Sequence, residues 1–547
     1  MNLLSSLNIS QGALSVNEKA ISVVSHNVAN MNTEGYHKQR VNLAARNIAG
    51  QIGDNPLNQV RANGGVMIAN VMRYNDDYLN NYYRQQLAQR NMYEQQLGNL
   101  DDLANIFNDL DGTGIDSALS DFYDALNNLN QYPASSTARA NFIERAKSLA
   151  SIMNSKSVEL SKLTGQALGT GDSAEALANS RIYAQYRDLN NSLEELAAVN
   201  KALQTTQTGT LTANNLLDKR DLILHDISQY LDITVDEKQN GTVNVYVGDV
   251  PLVKGSTVTG SLEVQTAKDY CANHEPPIGT PDDWSDIWYN QMHGEAAVIS
   301  IVDKSGDSYS VIYDNANGII QGGALGGLIH SATDYDDGVT NAGTVQAALD
   351  TLASTIADVF NTLNTREGAY CINPNDTNLL TETNANNTIF QSSDGGPITA
   401  ANITISDNLR SNDGIWNIAC AYFENEADRP SATNPDAYNA VGNAFNVVDM
   451  MATRNAKQGG EMKGMSFEDF YSNILGKVAS AGDTAKSLYE TQCDVVDSLE
   501  NQLDSAYGVD LNEELVDLVK YQTAYAAAAQ VFNTVNACLD TLMTLGR

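Results

Sequence analysis

The sequence predicts a mainly α chain with an inserted β-rich domain, an elongated, discontinuous multi-domain rod whose N- and C-terminal helices pair as a coiled coil. Three observations predict it. Both ends carry residues at alternating spacings of four and three, the period switches to two in the middle of the chain, and helical periodicity then returns. An order of helix, β and helix implies that the middle projects from a body built by both halves of the chain.

At the N-terminus, residues 3 to 28, one seam (Leu7, Leu14, Ile21, Val28) is wholly apolar and the other is half polar. At the C-terminus Leu511, Leu518, Tyr525, Phe532 and Leu539 form the matching large apolar seam, beside one of small or polar residues. The simplest pairing is terminus with terminus. A surface helix needs one apolar stripe and carries charge elsewhere. Yet Leu518 to Leu539 holds a single charged residue, Lys520, and residues 1 to 33 hold only Glu18 and Lys19. Two helices cannot cover each other all round, so further cover is expected from other domains or other subunits.

Residues 75 to 228 read as long helices with a break at Pro133. At Ile233 the period changes: Ile233 and Val235, the turn Asn240-Gly241, then Val243, Val245 and Val247 read as a β-hairpin. Residues 296 to 314 are a second strand candidate. The stretch between holds three of the ten prolines together with Trp284 and Trp288, and reads as an irregular insertion packed by aromatics. QGGALGGLIH, 321 to 330, lacks the spacing and the lysine of a phosphate loop and reads as a tight β-to-helix turn. Helical spacing returns at 345 to 364, the Asn/Thr/Asp-rich 366 to 408 reads as loop, and helices resume after Met465. The expected domains are therefore terminal helices (1–45 and 505–547), a mainly helical body (46–229 with 331–504, containing the loop-rich 366–408) and a β-rich outer domain (230–330).

Composition narrows the function. With 32 Lys+Arg against 67 Asp+Glu the net charge is −35, which disfavours nucleic acid. Five widely spaced cysteines include no C-x-x-C pair and read as buried small apolar residues. The N-terminus lacks the basic and apolar regions of a secretory signal, and no run of about 18 apolar residues occurs, so neither a cleaved signal nor membrane insertion is expected. The usual zinc, serine-hydrolase and phosphate-loop motifs are missing. The six histidines never fall at metal-ligand spacing on one element, and DYDDG, 334 to 338, misses the EF-hand pattern. No cofactor, no metal and no catalysis are expected.

The stretch ALSVNEKAISVVSHNVANMNTEGYHKQRV contains Ala29-Asn30-x-x-Thr33-x-Gly35-Tyr36, which resembles the N-terminal signature of flagellar axial proteins, the rod, hook and hook-associated proteins. GVDLNEELVDLVKYQTAYAAAAQVFNTVNACLDTLM looks like their C-terminal partner signature. ANNLLDKRDLILHDISQYLDITV, GTVNVYVGDVPLVKG, QGGALGGLIHSATDY and LDTLASTIADVFNTLN are similar to the hook-associated protein 1 family, and the similarity fails in 261–317 and 366–408. The resemblance implies a structural adaptor of the flagellum, exported by the flagellar type III channel without a cleaved signal and assembled outside the cell. It implies a ring with copies of itself between the flagellar hook protein and a second, filament-side junction protein, and an export chaperone on the C-terminal helix beforehand. The terminal helices of such proteins line the inner tube and order in the polymer. Both large seams, with Asn30, Thr33, Gly35 and Tyr36, are then the expected assembly interface.

On this reading residues 27 to 41 turn the tube helix into the body. Gly35 is the expected positive-φ residue, and Tyr36 plugs the joint and pairs its hydroxyl. Lys38, Arg40 and Arg46 meet carboxylates such as Glu513, Glu514 and Asp517, in the same chain or a neighbour. Two alternatives stand beside it: an axial protein with a glycan-hydrolysing outer domain, recognisable by a carboxylate pair in a cleft of 230–330, and a secreted adhesin binding through Trp284 and Trp288.

Overall fold

The computed structural model describes residues 3–48, 62–107, 114–169, 177–266, 297–303, 308–311, 322–332 and 340–545, apart from 373, 375–377 and 412. Long helices dominate because long stretches of the chain lack proline and begin at side chains able to accept from free backbone N–H groups. Helix α1 (Leu3–Asn30) is followed by strands β1 (Gln39–Ile48) and β2 (Ala62–Arg73). Helices α2 (Asp77–Ile106), α3 (Ile115–Gln131), α4 (Ser136–Leu168), α5 (Arg181–Thr205) and α6 (Leu211–Tyr230) come next, and Asp76, Ser135, Ser180 and Thr210 cap α2, α4, α5 and α6.

The period-two region forms two antiparallel sheets: β3 (Thr234–Glu237), β4 (Val243–Val247), β5 (Val250–Lys254) and β6 (Thr257–Val258), then β7 (Gly260–Thr266), β8 (Ala297–Asp303) and β9 (Ser308–Val311). Helix α7 (Gly323–Ala332) starts at Gly323, whose φ is +75° and where a Cβ would lie 2.2 Å from the Tyr230 carbonyl carbon. Only glycine fits that approach. The helix packs against α2. Then follow α8 (Ala342–Thr365), α9 (Phe445–Ala452), α10 (Phe467–Tyr507) and α11 (Leu511–Leu545).

Three of the six apolar clusters among the described residues position the site. In the largest, α3, α4 and α8 surround Phe122, whose ring lies 5.2 Å from Phe142 and 4.9 Å from Phe360. The second joins α5, α6 and α7 to β4 and β5, so the first β sheet shares its core with helices. The third is small: Ala20 and Val23 of α1 against Val41 and Val71 of the β1–β2 hairpin. Helix α10 runs antiparallel along α2, from Phe107 beside Tyr471 to Tyr83 bonded to Glu500. Helices α1 and α11 pack along each other, so the two ends of the sequence meet.

Three expectations need correction. Residues 366–408 are not a bare loop: β10 (Ala369–Ile372) and β11 (Leu380–Glu382) form a sheet with β14 (Ala419–Tyr422), β12 (Phe390–Ser392) pairs with β13 (Ile403–Ile405), and Phe390, Ile403 and Ile405 sit in the main core. The β1–β2 hairpin was not anticipated. Of the cysteines, Cys371 and Cys420 are buried, but Cys493 is half-buried and Cys538 exposed. Cys271 and the Trp284/Trp288 insertion lie outside the described residues, as do residues 334–338.

Phe122 is fully buried among four other aromatic rings. Phe122→Ala should lower the stability of the body by about 3–5 kcal/mol, read as a drop in urea midpoint without a change of slope.

Candidate assembly interface

Helix α1 unwinds at an elbow. Thr33 N–H donates to Asn30 O (2.9 Å), Tyr36 N–H donates to Thr33 O (3.1 Å), and Gly35 between them has φ +72°. Three residues before the helix end, Asn27 is 1% exposed and uses its whole hydrogen-bonding capacity. Its Nδ2 donates to Gln39 O and to Glu514 Oε2, both at 2.9 Å. Its Oδ1 accepts from the Tyr36 hydroxyl (2.7 Å) and from Gln39 N–H (3.1 Å). The Tyr36 hydroxyl also lies 2.9 Å from His26 Nδ1, and burial drives its pKa upward, so it remains a neutral donor.

The start of β1 ties the elbow to the end of the chain. Lys38 Nζ is 2.7 Å from Glu513 Oε2 and 3.4 Å from the buried Glu514 Oε1. Burial works against the Lys38 charge, but these two carboxylates outweigh it and raise the pKa. Lys38 N–H donates to Tyr507 O (2.8 Å), and its carbonyl accepts from Tyr74 N–H (3.1 Å). Tyr74 beside it, and more weakly Tyr521 and Asp517, raise the Arg40 pKa against the effect of burial. The Arg46 side chain is outside the described residues.

Beneath the elbow lies a buried charge cluster. Arg73 on β2 donates through Nε to Asp218 Oδ1 (2.6 Å) and through Nη2 to Asp221 Oδ2 (2.5 Å). Arg220 donates to Asp221 Oδ1 from Nε (2.9 Å) and Nη2 (2.7 Å), and reaches Glu237 Oε1 on β3 at 2.9 Å. Burial alone would raise the Asp221 carboxyl, but Arg220 and Arg73 hold it well below the usual carboxylate range. His37 Nδ1 lies 3.0 Å from Asp218 Oδ1, and the ring stacks on Tyr507 at 4.7 Å. The cluster thus joins β2, α6, β3 and the end of α10.

The helix pair covers one side of itself. On α1 the deepest residues are Ser10, Val16, Ala20, Val23, Val24 and Asn27, while Leu7, Leu14, Ile21 and Val28 are half-buried. The hairpin lies so close along α1 that a Cβ on Gly12 would be 3.3 Å from Val66 O and one on Gly65 3.3 Å from Ile9 Cα. Small residues therefore face the close neighbours, and the large seam sits to one side. On α11, Leu518, Phe532 and Leu539 are half-buried and Leu511 and Tyr525 exposed. Val516 (67% exposed), Val519 (61%) and Met543 (74%) face solvent. Asn30, Gly35 and Tyr36 are half-buried at the elbow, and Thr33 is exposed.

Sequence reasoning missed Asn27 and the residues of the charge cluster. Asn27 stands among polar neighbours that resemble a solvated helix face. Asp218, Arg220 and Asp221 did carry a signal: a charged run inside LLDKRDLILHD, where apolar residues leave little room for a water-facing side. Among the described residues no group of three or more His, Cys, Asp or Glu could hold a metal ion, and no helix is long and apolar enough to cross a membrane.

Residues 100–276 match the family model described as Flagellar hook-associated protein FlgK helical domain. Residues 7–37 match Flagella basal body rod protein, and 503–545 match Flagellar basal body rod FlgEFG protein C-terminal. Flagellar hook-associated protein 1 of Bacillus subtilis (strain 168) is 24% identical over 552 residues, covering 98% of this chain and 96% of that protein. Its namesake in Escherichia coli (strain K12) is 24% identical over 602 residues, covering 100% and 99%. The solved structure of the flagellar hook junction protein FlgK from Burkholderia pseudomallei shares the fold, with a TM-score of 0.52 at 14% identity, covering 78% of this chain and 100% of that one.

The charge cluster sets a pH signature. The folded pKa of Asp221 lies below the unfolded value of about 3.9, so its contribution is complete above that value and is lost as pH falls through the folded pKa. Asp221→Asn removes the one carboxylate shared by two buried guanidinium groups, leaving Arg73 with Asp218 and Arg220 with Glu237, and should cost about 3 kcal/mol at neutral pH. Urea midpoints measured against pH should show the variant below the native protein at pH 7 and the gap narrowing below about pH 4.

Proposed function

The chain belongs to the hook-associated protein 1 family of bacterial flagellar axial proteins, and from that premise we propose that it forms the adaptor ring joining the hook to the filament-side junction. It is a structural component of the flagellum, where it assembles with other axial proteins. In the proposed arrangement its neighbours are copies of itself, the hook protein and a second junction protein. An export chaperone holds α11 until the chain leaves the cell uncleaved through the type III channel. The terminal helices line the axis, the helical body surrounds them, and the β unit faces outward, with no catalytic role. None of the matched families or relatives reported above is named as a hydrolase or an adhesin, so both alternatives are left without support.

One observation carries this reading. The two segments that match axial families, at opposite ends of the sequence, fold against each other as α1 and α11, and the pair leaves a long apolar surface uncovered. An isolated soluble protein rarely leaves so large an apolar face open, whereas a subunit awaiting neighbours must. The deciding experiment is electron microscopy of cells lacking the protein. Bare hooks with flagellin in the medium are expected; normal filaments would overturn the reading.

Val519 faces away from α1 and is exposed, so it contributes little to the single chain. Val519→Asp should leave thermal unfolding of the purified protein unchanged, because the carboxylate stays in water. In a closed subunit contact the same charge would be desolvated at a cost of several kcal/mol. The expected outcome is secreted protein that fails to enter the hook tip, scored by immunoblot of medium and of isolated hooks.

A further inference from the structure

We propose that the recess where α2, α7, α8 and α10 meet is a binding site for a small organic carboxylate with a short apolar tail. The recess has a volume of about 430 Å³, within the size range of small-molecule sites. Its floor is the main core itself, through Leu100 and Leu103 of α2, Ala342 of α8 and Ala485 of α10. It lies wholly in the body, so the site depends neither on the terminal helices nor on the proposed ring.

Charge selects an anion. The chain carries 67 Asp and Glu residues, yet none is among the described residues that line the recess. Lys477 stands on its rim, exposed and without an ion-pair partner among the described residues. Asn341 and Ala342 also line it, so the positive end of α8, a helix of 24 residues, forms part of the wall. The Asn341 side chain accepts from Thr344 N–H (2.9 Å), and Ala342 and Gly343 N–H are left without a partner among the described residues. The His330 carbonyl, at the negative end of α7, is taken up by Asn341 Nδ2 (3.1 Å).

An unfilled hydrogen bond marks the place of an acceptor. Asn99 of α2 lines the recess and is 4% exposed, and its Nδ2 has no partner among the described residues. The amide is oriented from its other side: Oδ1 accepts from Arg181 Nη2 (2.6 Å), and because a guanidinium cannot accept, the amide cannot be turned round. A buried donor left unpaired is costly and rare in folded proteins. What is missing is therefore an acceptor, which a carboxylate supplies and a cation or a hydrocarbon does not. The head group answers Asn99, Lys477 and the first turn of α8, and the leucine floor takes the tail.

The test titrates the full chain with hexanoate, hexylammonium and inorganic phosphate at matched ionic strength, by calorimetry and by saturation-transfer NMR of the probe. Hexanoate should bind at one saturable site per chain, phosphate more weakly and hexylammonium not at all. Lys477→Gln and Asn99→Leu should each weaken hexanoate binding about tenfold. Thr484→Trp, at an exposed lining position, should abolish it by filling the recess. Circular dichroism and melting should be unchanged in Lys477→Gln and Thr484→Trp, whose positions are both exposed. The proposal is overturned if hexanoate shows no saturable binding, if hexylammonium or phosphate binds as well as hexanoate, or if any of the three variants binds hexanoate like the native chain. A chain with Asp334, Asp336 and Asp337 changed to Asn gives the last arm. Hexanoate binding that appears only in that chain would make its own carboxylates the occupant and would equally overturn the proposal.

Discussion

The structure depends on one recurrent interaction, in which an asparagine on a helix presents its side-chain amide to the backbone of a strand. Asn27 on α1 holds both backbone groups of Gln39. Asn200 on α5 does the same to Val243, donating at 2.8 Å and accepting at 3.0 Å. Asn361 on α8 accepts from Ile389 and Phe390 N–H and donates to Phe390 O, and Asn364 accepts from Ala419 N–H. Asn446 on α9 donates to Ala419 O. A carboxamide carries a donor and an acceptor spaced like those of a peptide group, so it can stand in for a missing strand. Sheets of two or three short strands are too small to persist alone, and a buried unpaired backbone group costs free energy comparable to a lost hydrogen bond. Helix asparagines solve both problems, and in doing so attach four of the five sheets among the described residues to a helix.

Charge is distributed by the same logic. The surplus of carboxylates stays largely in solvent, and the fully buried charges among the described residues concentrate where α6, β2 and β3 meet. Arg73 and Arg220 share Asp221, so each guanidinium has a partner and the burial cost is met by short charge-assisted bonds. Arg139 shows another solution: fully buried, it donates to the carbonyls of Pro133, Ile415 and Ile418, lies near Cys420 Sγ and stacks on Trp416, stitching α4 to the turn before β14.

Much of this was legible in the sequence, and the parts that were not share a cause. Long helices and the β3–β4 hairpin are written in periodicity over many residues, and the positive φ of Gly35 follows from its place after an asparagine-rich helix end. The meeting of Lys38 with Glu513 and Glu514 follows from opposite charges on two ends that must converge. Strands β11, β12 and β13 have three residues each, too few to display a period, and their core contribution rests on single residues such as Phe390. Large side chains marked out the seams of α1, yet close approach of the hairpin favours the small ones, Ala20 and Val23, at the buried face. Buried polar side chains such as Asn27 and Asn200 give no sign in one dimension, because their value lies in partners far along the chain.

The antiparallel seating of α10 on α2 governs how mechanical load travels. Helix α11 is joined to α10 by residues 508–510, so tension on the C-terminal helix enters the far end of α10 directly. Along that seat the bonds Tyr83 to Glu500 and Gln492 to Gln86, and the apolar contacts of Leu87 with Val496 and Leu499, lie side by side. A pull along the helix axis therefore acts in shear, stressing many contacts together, where a peeling geometry would break them one after another. In the ring proposed above torque would reach the helix pair from both sides, and a long helix seat loaded in shear shares that torque among contacts spaced from Tyr83 to Phe107.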